Sequence, residues 1–269
     1  MELVEGEDLS ERIARGPISM DEALPIALQI AEALDGVPVW APDSNGFVFA
    51  SSREGQGIYW KRADGSGDAV RLTESERRRS PYSWHPSGRF LAFYEPNPET
   101  GTDIGLYSME GDSASGWKAS EHEYFLQTQH NETSPAFSPD GSWLAYVSSE
   151  SGQDEIYVRP FPSGGGKWQI SSDGGTSPAW FSNGEELFYK KKDQFMVVPY
   201  TVDSDSFRAG RPRLWTEQRF IIWPGLRSFD LHPDNERIAT FRGAVEKQGQ
   251  AVLFQNFFDY LKEKVPVDQ

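Results

Sequence analysis

A chain of 269 residues with 26 basic and 41 acidic side chains carries a formal charge of −15, which argues against an electrostatic footprint for nucleic acid or an anionic membrane surface. It contains no cysteine, so disulfides and thiol chemistry are excluded, and no apolar run approaches the length that spans a bilayer. The N-terminus carries acids where a secretory leader would carry bases, so the expected location is the cytoplasm.

The first 35 residues read as helix. A short one runs from Asp8 to about Ala14 and stops at Arg15-Gly16-Pro17. Ser19 and Glu22 form a capping box for the next. Leu24, Ala27, Ile30, Ala31 and Leu34 then make an apolar stripe at helical spacing, with Pro25 weakening its start.

From residue 36 the pattern changes to strands and tight turns, and one string recurs five times. Trp40-Ala41-Pro42-Asp43, Trp84-His85-Pro86-Ser87-Gly88, Phe137-Ser138-Pro139-Asp140-Gly141, Trp180-Phe181-Ser182-Asn183-Gly184 and Leu231-His232-Pro233-Asp234 each lead into a short apolar run. Pro presets φ, Asp or Ser closes the turn, and Gly takes positive φ. Counted at the Pro position, the steps are 44, 53, 43 and 51 residues. After each of the first four apolar runs comes a turn and a further strand, such as Asp103-Ile104-Gly105-Leu106-Tyr107 or Asp154-Glu155-Ile156-Tyr157-Val158. A closing strand such as Lys167-Trp168-Gln169-Ile170-Ser171 completes the unit. Four strands per repeat of roughly 40–50 residues is the period of a β-propeller blade. The tail changes period again: Phe257, Phe258, Leu261 and Val265 fit one helical face, which Pro266 ends.

The string Pro-x-Trp-x-Pro-Asp-Gly, then an apolar strand, then Asp-Ile-Tyr-Val resembles the TolB-like, WD-repeat-like propellers. The expected fold is therefore mainly β: a propeller of about five four-stranded antiparallel blades, six being the alternative. A short N-terminal helical segment and a C-terminal helical tail flank it. The expected divisions are residues 1–35, 36–255 and 256–269.

The opening stretch resembles a second family. Met1 to Leu9 is similar to the interlobe hinge of bacterial serine/threonine protein kinases, and Leu9 to Gly16 and Ser19 to Leu34 to the two helices that follow it. The tail resembles the ending of kinases that carry such propellers. That resemblance implies adenine-binding backbone at Glu2, Leu3, Val4 and Glu5. It implies no catalysis, because the Gly-rich loop, the phosphate-binding Lys, the His-Arg-Asp loop and the Asp-Phe-Gly site are all missing. The arrangement looks like a deletion product or truncated gene of a signalling kinase, whose parent could have been membrane-anchored.

No catalytic motif stands out elsewhere. There is no Gly-x-Ser-x-Gly elbow, and Gly164-Gly165-Gly166-Lys167 is followed by Trp168 rather than the Ser or Thr of a phosphate loop. His85 and His232 hold equivalent positions in two repeats and read as structural. His122 and His130 lie in a polar stretch, Gly111 to Thr133, that reads as an elongated hairpin between blades. No metal, cofactor or catalytic residue is expected. The expected function is a non-catalytic interaction module that takes a peptide or protein at its mouth. The candidate binding residues are the basic spot Arg77, Arg78 and Arg79 and the repeat-breaking aromatics Trp215 and Trp223. Lys190-Lys191-Lys192 reads as a solvated run.

Overall fold

The repeated turn string folds the same way in four copies. The Ser138 N–H donates to the Trp143 carbonyl and the Gly141 N–H to the Ser138 carbonyl, both at 2.9 Å. The same two bonds recur from His85 and Gly88, from Phe181 and Gly184, and from Ala41 and Ser44. The last residue of the turn is left-handed, with φ of 76° at Gly88, 75° at Gly141 and 69° at Gly184. The first and fifth copies carry Ser44 (59°) and Asn235 (61°) there instead. Asn tolerates that conformation and Ser does so at a cost.

A computed structural model describes residues 38–63, 66–162, 165–203, 206–217, 219–220, 229–231, 235 and 238–240. The helices expected within residues 1–35 and the helical tail expected within 256–269 lie outside these residues. Among the described residues, regular structure is all strand.

The strands form five successive antiparallel sheets. The first holds β1 (Val39–Trp40), β2 (Gly46–Ser51), β3 (Gly57–Arg62) and β4 (Val70–Arg71) in that order. The second holds β5 (Ser80–Trp84), β6 (Phe90–Asn97), β7 (Gly101–Asp112) and β8 (Gly116–Leu126). The third holds β9 (Glu132–Phe137), β10 (Trp143–Ser148), β11 (Glu155–Pro160) and β12 (Trp168–Gln169). In the fourth, β13 (Thr176–Trp180), β14 (Glu186–Lys191) and β15 (Gln194–Asp203) run in order. Its outer edge is split, because β15 pairs along its length with both β16 (Ser206–Ala209) and β17 (Arg213–Leu214). The fifth shows β18 (Phe229–Leu231) and β19 (Ile238–Thr240).

Sheet stacking follows from the period of two along each strand. In β10, Trp143, Ala145 and Val147 join Trp180, Leu187 and Tyr189 of the fourth sheet in one core cluster. The alternate residues Leu144 and Tyr146 join Ala92, Ile104 and Leu106 of the second sheet in another. Leu91 and Phe93 of β6 face Val48, Ile58 and Trp60 of the first sheet, whereas Ala92 faces the third. Phe188 points from β14 to Phe229 of the fifth sheet, their ring centroids 5.1 Å apart. The sheets thus stack face to face in chain order, their first strands neighbouring one another, as blades of a propeller do. This also explains why the second strands read as unbroken apolar runs: both faces are buried.

Two departures from the repeat matter. The inner strands β9 and β13 shift register where Ser134-Pro135 and Ser177-Pro178 occur, with φ of 55° at Ser134 and 51° at Ser177. Proline has no N–H for the ladder, so it sits at these bulges. The stretch Gly111 to Thr133 is a long hairpin formed by β7 and β8, leading into β9. Its tip lies on the first blade: the Ser113 hydroxyl donates to Asp43 (2.9 Å), and Trp117 packs on Trp60 of that blade at 6.3 Å as well as on Trp84 of its own at 4.7 Å. His122 therefore stands on a strand.

Candidate functional site

Two concavities lie at opposite ends of β5. At the Trp84 end, where β5, β9, β13 and β18 converge, a cavity of about 280 Å³ is lined by the repeat-equivalent Trp84, Phe137, Trp180 and Leu231. This opening lies among the first strands of four successive sheets. The inner strands are pinned to one another there. The Phe137 N–H donates to the Ser83 hydroxyl (3.0 Å), and the Trp180 indole N–H to the Ala136 carbonyl (2.9 Å).

The second concavity is larger and more polar. The segment 71–79 leaves the outer strand of the first blade and crosses to the inner strand of the second. Between it and β8 runs a cleft of about 880 Å³, lined by Arg71, Ser75, Arg77, Glu121, His122 and Tyr124 among others. Because β8 is the outer strand, the cleft lies between the first two blades, away from their first strands.

The floor of the cleft is one hydrogen-bonded network. Glu95, on β6, is only 1% exposed. Its carboxylate accepts from Arg79 Nε at 2.7 Å and from the Tyr124 hydroxyl. Arg79 also donates to the Tyr107 hydroxyl, and its Nη2 lies 3.2 Å from His122 Nε2. A guanidinium can only donate, so Nε2 of His122 is the acceptor and the ring is neutral. Arg79 further lies over the rings of Phe93 and Tyr107, at 5.3 and 5.7 Å.

Electrostatics follow from these contacts. Burial pushes the Glu95 carboxyl up, but the Arg79 and Tyr124 bonds outweigh it and hold the group below its usual range. Burial, followed by the hydrogen bond to Glu95, pushes Tyr124 up to about 12. Burial and the charge of Arg79 lower the His122 imidazole. The guanidinium of Arg79, opposed by burial, is held above its usual value by Glu95 and Tyr107. All three Arg79 nitrogens are engaged, so this network makes a preorganised wall rather than a free reacting group.

The basic spot read from the sequence is thus divided. Arg79 is built into the floor. Arg77 stands on the rim with 44% of its side chain exposed, 3.9 Å from Glu95. Arg78 is exposed and acts electrostatically on Tyr94. Trp215 is half-buried against Phe188, 5.8 Å between centroids, and its backbone N–H donates to the Phe195 carbonyl, so it closes the fourth blade. Trp223, the hinge positions Glu2, Leu3, Val4 and Glu5, and His232 lie outside the described residues. Lys190 departs from the solvated reading. It sits in β14, is 7% exposed, and burial lowers its ammonium. The sequence reading missed Glu95, Tyr107 and Tyr124; a carboxylate inside the apolar run Phe90–Asn97 was the signal available.

No family model and no curated protein matches the chain. Among solved structures, it is similar to a putative TolB from Agrobacterium tumefaciens at 19% identity and a TM-score of 0.48, over 65% of this chain and 64% of that one. It is similar to TolB from Acinetobacter baumannii at 17% and 0.43, over 64% and 42%. A putative 6-phosphogluconolactonase from Bacteroides uniformis matches at 15% and 0.45, over 72% and 60%. The matches thus cover less than two thirds of each of these proteins. No helix among the described residues is long and apolar enough to cross a membrane.

Proposed function

We propose that this chain is a non-catalytic β-propeller binding module that takes a polar peptide or protein segment in the cleft between its first two blades. The observation that carries this reading is the pairing of a saturated floor with an exposed rim. Arg79, Glu95, Tyr107 and Tyr124 satisfy one another, while Arg77 and Glu121 face the opening. Such a surface offers charge and shape without a poised nucleophile. The cytoplasm is the proposed location.

Peptide display against the immobilised chain tests this. Selected peptides should bind at least about tenfold more weakly to Arg77→Ala, a change of about 1.4 kcal/mol. Peptides indifferent to Arg77→Ala and Glu121→Ala together would overturn the cleft as the site. A second reading concerns origin: the resemblance of residues 1–35 to a kinase hinge and its following helices makes the chain a relic of a propeller-bearing kinase that keeps a docking or sensing role. ATP binding lost in a variant deleted for residues 1–35 supports that origin, and absence of ATP binding removes its functional content.

A further inference from the structure

Four carboxylates are buried in the described blades: Glu95, Asp103, Glu132 and Glu155. All lie at the ends of strands on the side where the inner strands begin. Two are saturated. Glu95 is bonded through both oxygens by Arg79 and Tyr124. Glu155 accepts from Ser171 on Oε2, and from Gln153 (2.6 Å) and the Gly174 N–H (2.9 Å) on Oε1.

The other two are not. Asp103 is 0% exposed, and all its donors converge on Oδ2: Asn97 at 2.7 Å, Thr100 at 2.8 Å and Gln127 at 3.1 Å. Its Oδ1 has no partner. Glu132 is 2% exposed and accepts from Thr128 (2.6 Å) and Ser148 (3.5 Å) on Oε1, while Oε2 has no partner. The two residues are neighbours across the seam of the second and third blades. Thr102 and Asn131 form a parallel bridge, so the next residue on each segment, Asp103 and Glu132, stand side by side. Their coupling is felt: burial first, opposed by the Thr128 bonds, and then the charge of Asp103 push the Glu132 carboxyl up.

An unpaired buried carboxylate oxygen is costly, and two side by side compound the cost by repulsion. We propose that Asp103 Oδ1 and Glu132 Oε2 hold one divalent cation of the calcium class at this seam. The donors are hard oxygens, and the neighbouring Asn97, Thr128, Gln127 and Ser148 are neutral side chains that also carry oxygen. Calcium accepts such a mixed and irregular shell, whereas magnesium keeps its own waters. Among the described residues no three acidic, His or Cys side chains converge. With only two charged ligands the affinity falls in the weak range, with Kd about 10⁻⁴–10⁻³ M.

The test uses the full chain stripped with chelator and then titrated with calcium chloride at constant ionic strength. Calcium should raise Tm saturably, and calorimetry should give about one site. Magnesium should give a smaller shift. Asp103→Asn and Glu132→Gln should each abolish the calcium-dependent shift, whatever their own Tm, while Glu155→Gln should keep it. Should a variant fail to fold, terbium luminescence on the wild-type chain replaces it: calcium must displace the terbium signal. No calcium shift in the wild type up to about 10 mM, ten times the weakest Kd expected, overturns the proposal. So does a shift that persists in both seam variants, which would reflect general screening of an acidic surface.

Discussion

The imidazole of His85 reaches out of the second blade and donates its Nε2–H to the carbonyl of Gly141 in the third, at 3.1 Å. The other nitrogen, Nδ1, accepts the Ser87 backbone N–H (3.1 Å), which fixes the neutral tautomer. The ring itself packs between Phe137 and Phe161, with centroids at 5.0 and 5.2 Å. A turn residue of one repeat thereby fastens the corresponding turn of the next.

Protonating His85 should weaken this fastening. Burial lowers its pKa from the ordinary 6.5, against the opposing bond to Gly141. The unfolded chain therefore takes up the proton first, and stability falls as pH drops through the usual imidazole range, levelling below the lowered native value. His122 contributes with the same sign. Urea melts of the wild type and His85→Gln across this window should show a flatter profile for the variant.

Gly141 should be less replaceable than Gly184, although both occupy the same turn position. Each is left-handed, which costs an alanine about 1–2 kcal/mol. At Gly184 the nearest atom to an added Cβ is the Tyr200 hydroxyl at 3.9 Å, whereas at Gly141 the Cβ would collide with the His85 ring. Gly141→Ala should therefore destabilise more than Gly184→Ala. In a His85→Ala background that excess should disappear, a coupling that a double-mutant cycle measures directly.

Arg79 and Arg77 should behave oppositely. Arg79→Met leaves Glu95 buried without its cation and should cost about 3–5 kcal/mol. The pH dependence should also reverse. In the wild type Glu95 has a depressed pKa, so its contribution is present above the ordinary carboxylate range and is lost as pH falls through the native value. In Arg79→Met, burial without the cation raises the Glu95 carboxyl instead, so stability should rise as pH falls through that raised native value to the ordinary carboxylate range. Arg77→Ala, on the exposed rim, should stay within about 0.5 kcal/mol of wild type.

Trp180→Phe should loosen the contact between the third and fourth blades. It removes the indole N–H that satisfies the Ala136 carbonyl and trims a side chain that is 9% exposed. A loss of about 1–3 kcal/mol is expected in denaturant melts.

The turns and second strands were legible because their chemistry is local: a Pro-Asp-Gly string specifies its turn without reference to the rest of the chain. The strand β8 was legible only as part of an elongated hairpin, since Gly116–Leu126 is polar along most of its length and its apolar Trp117 and Ala119 pack on a cluster shared with the first blade. The cleft floor was hidden for a related reason. Arg77 and Arg79 both reach toward Glu95 while Arg78 acts on Tyr94, so the run Arg77–Arg79 is continuous in sequence but divided in space. Arg79 is identified only by Glu95, sixteen positions on, and by its contacts with Tyr107 and His122. The paired acids Asp103 and Glu132 likewise meet only once two blades are stacked.

The hairpin tip that lies on the first blade bears on how the chain is made. The first blade's own strands end at Arg71, yet Trp117 completes its packing against the second blade and Ser113 its bond to Asp43. On a ribosome, residue 71 is added some forty positions before those side chains. The first repeat must therefore wait for the second, and the smallest unit of this stack that can mature during synthesis is a pair of repeats rather than one.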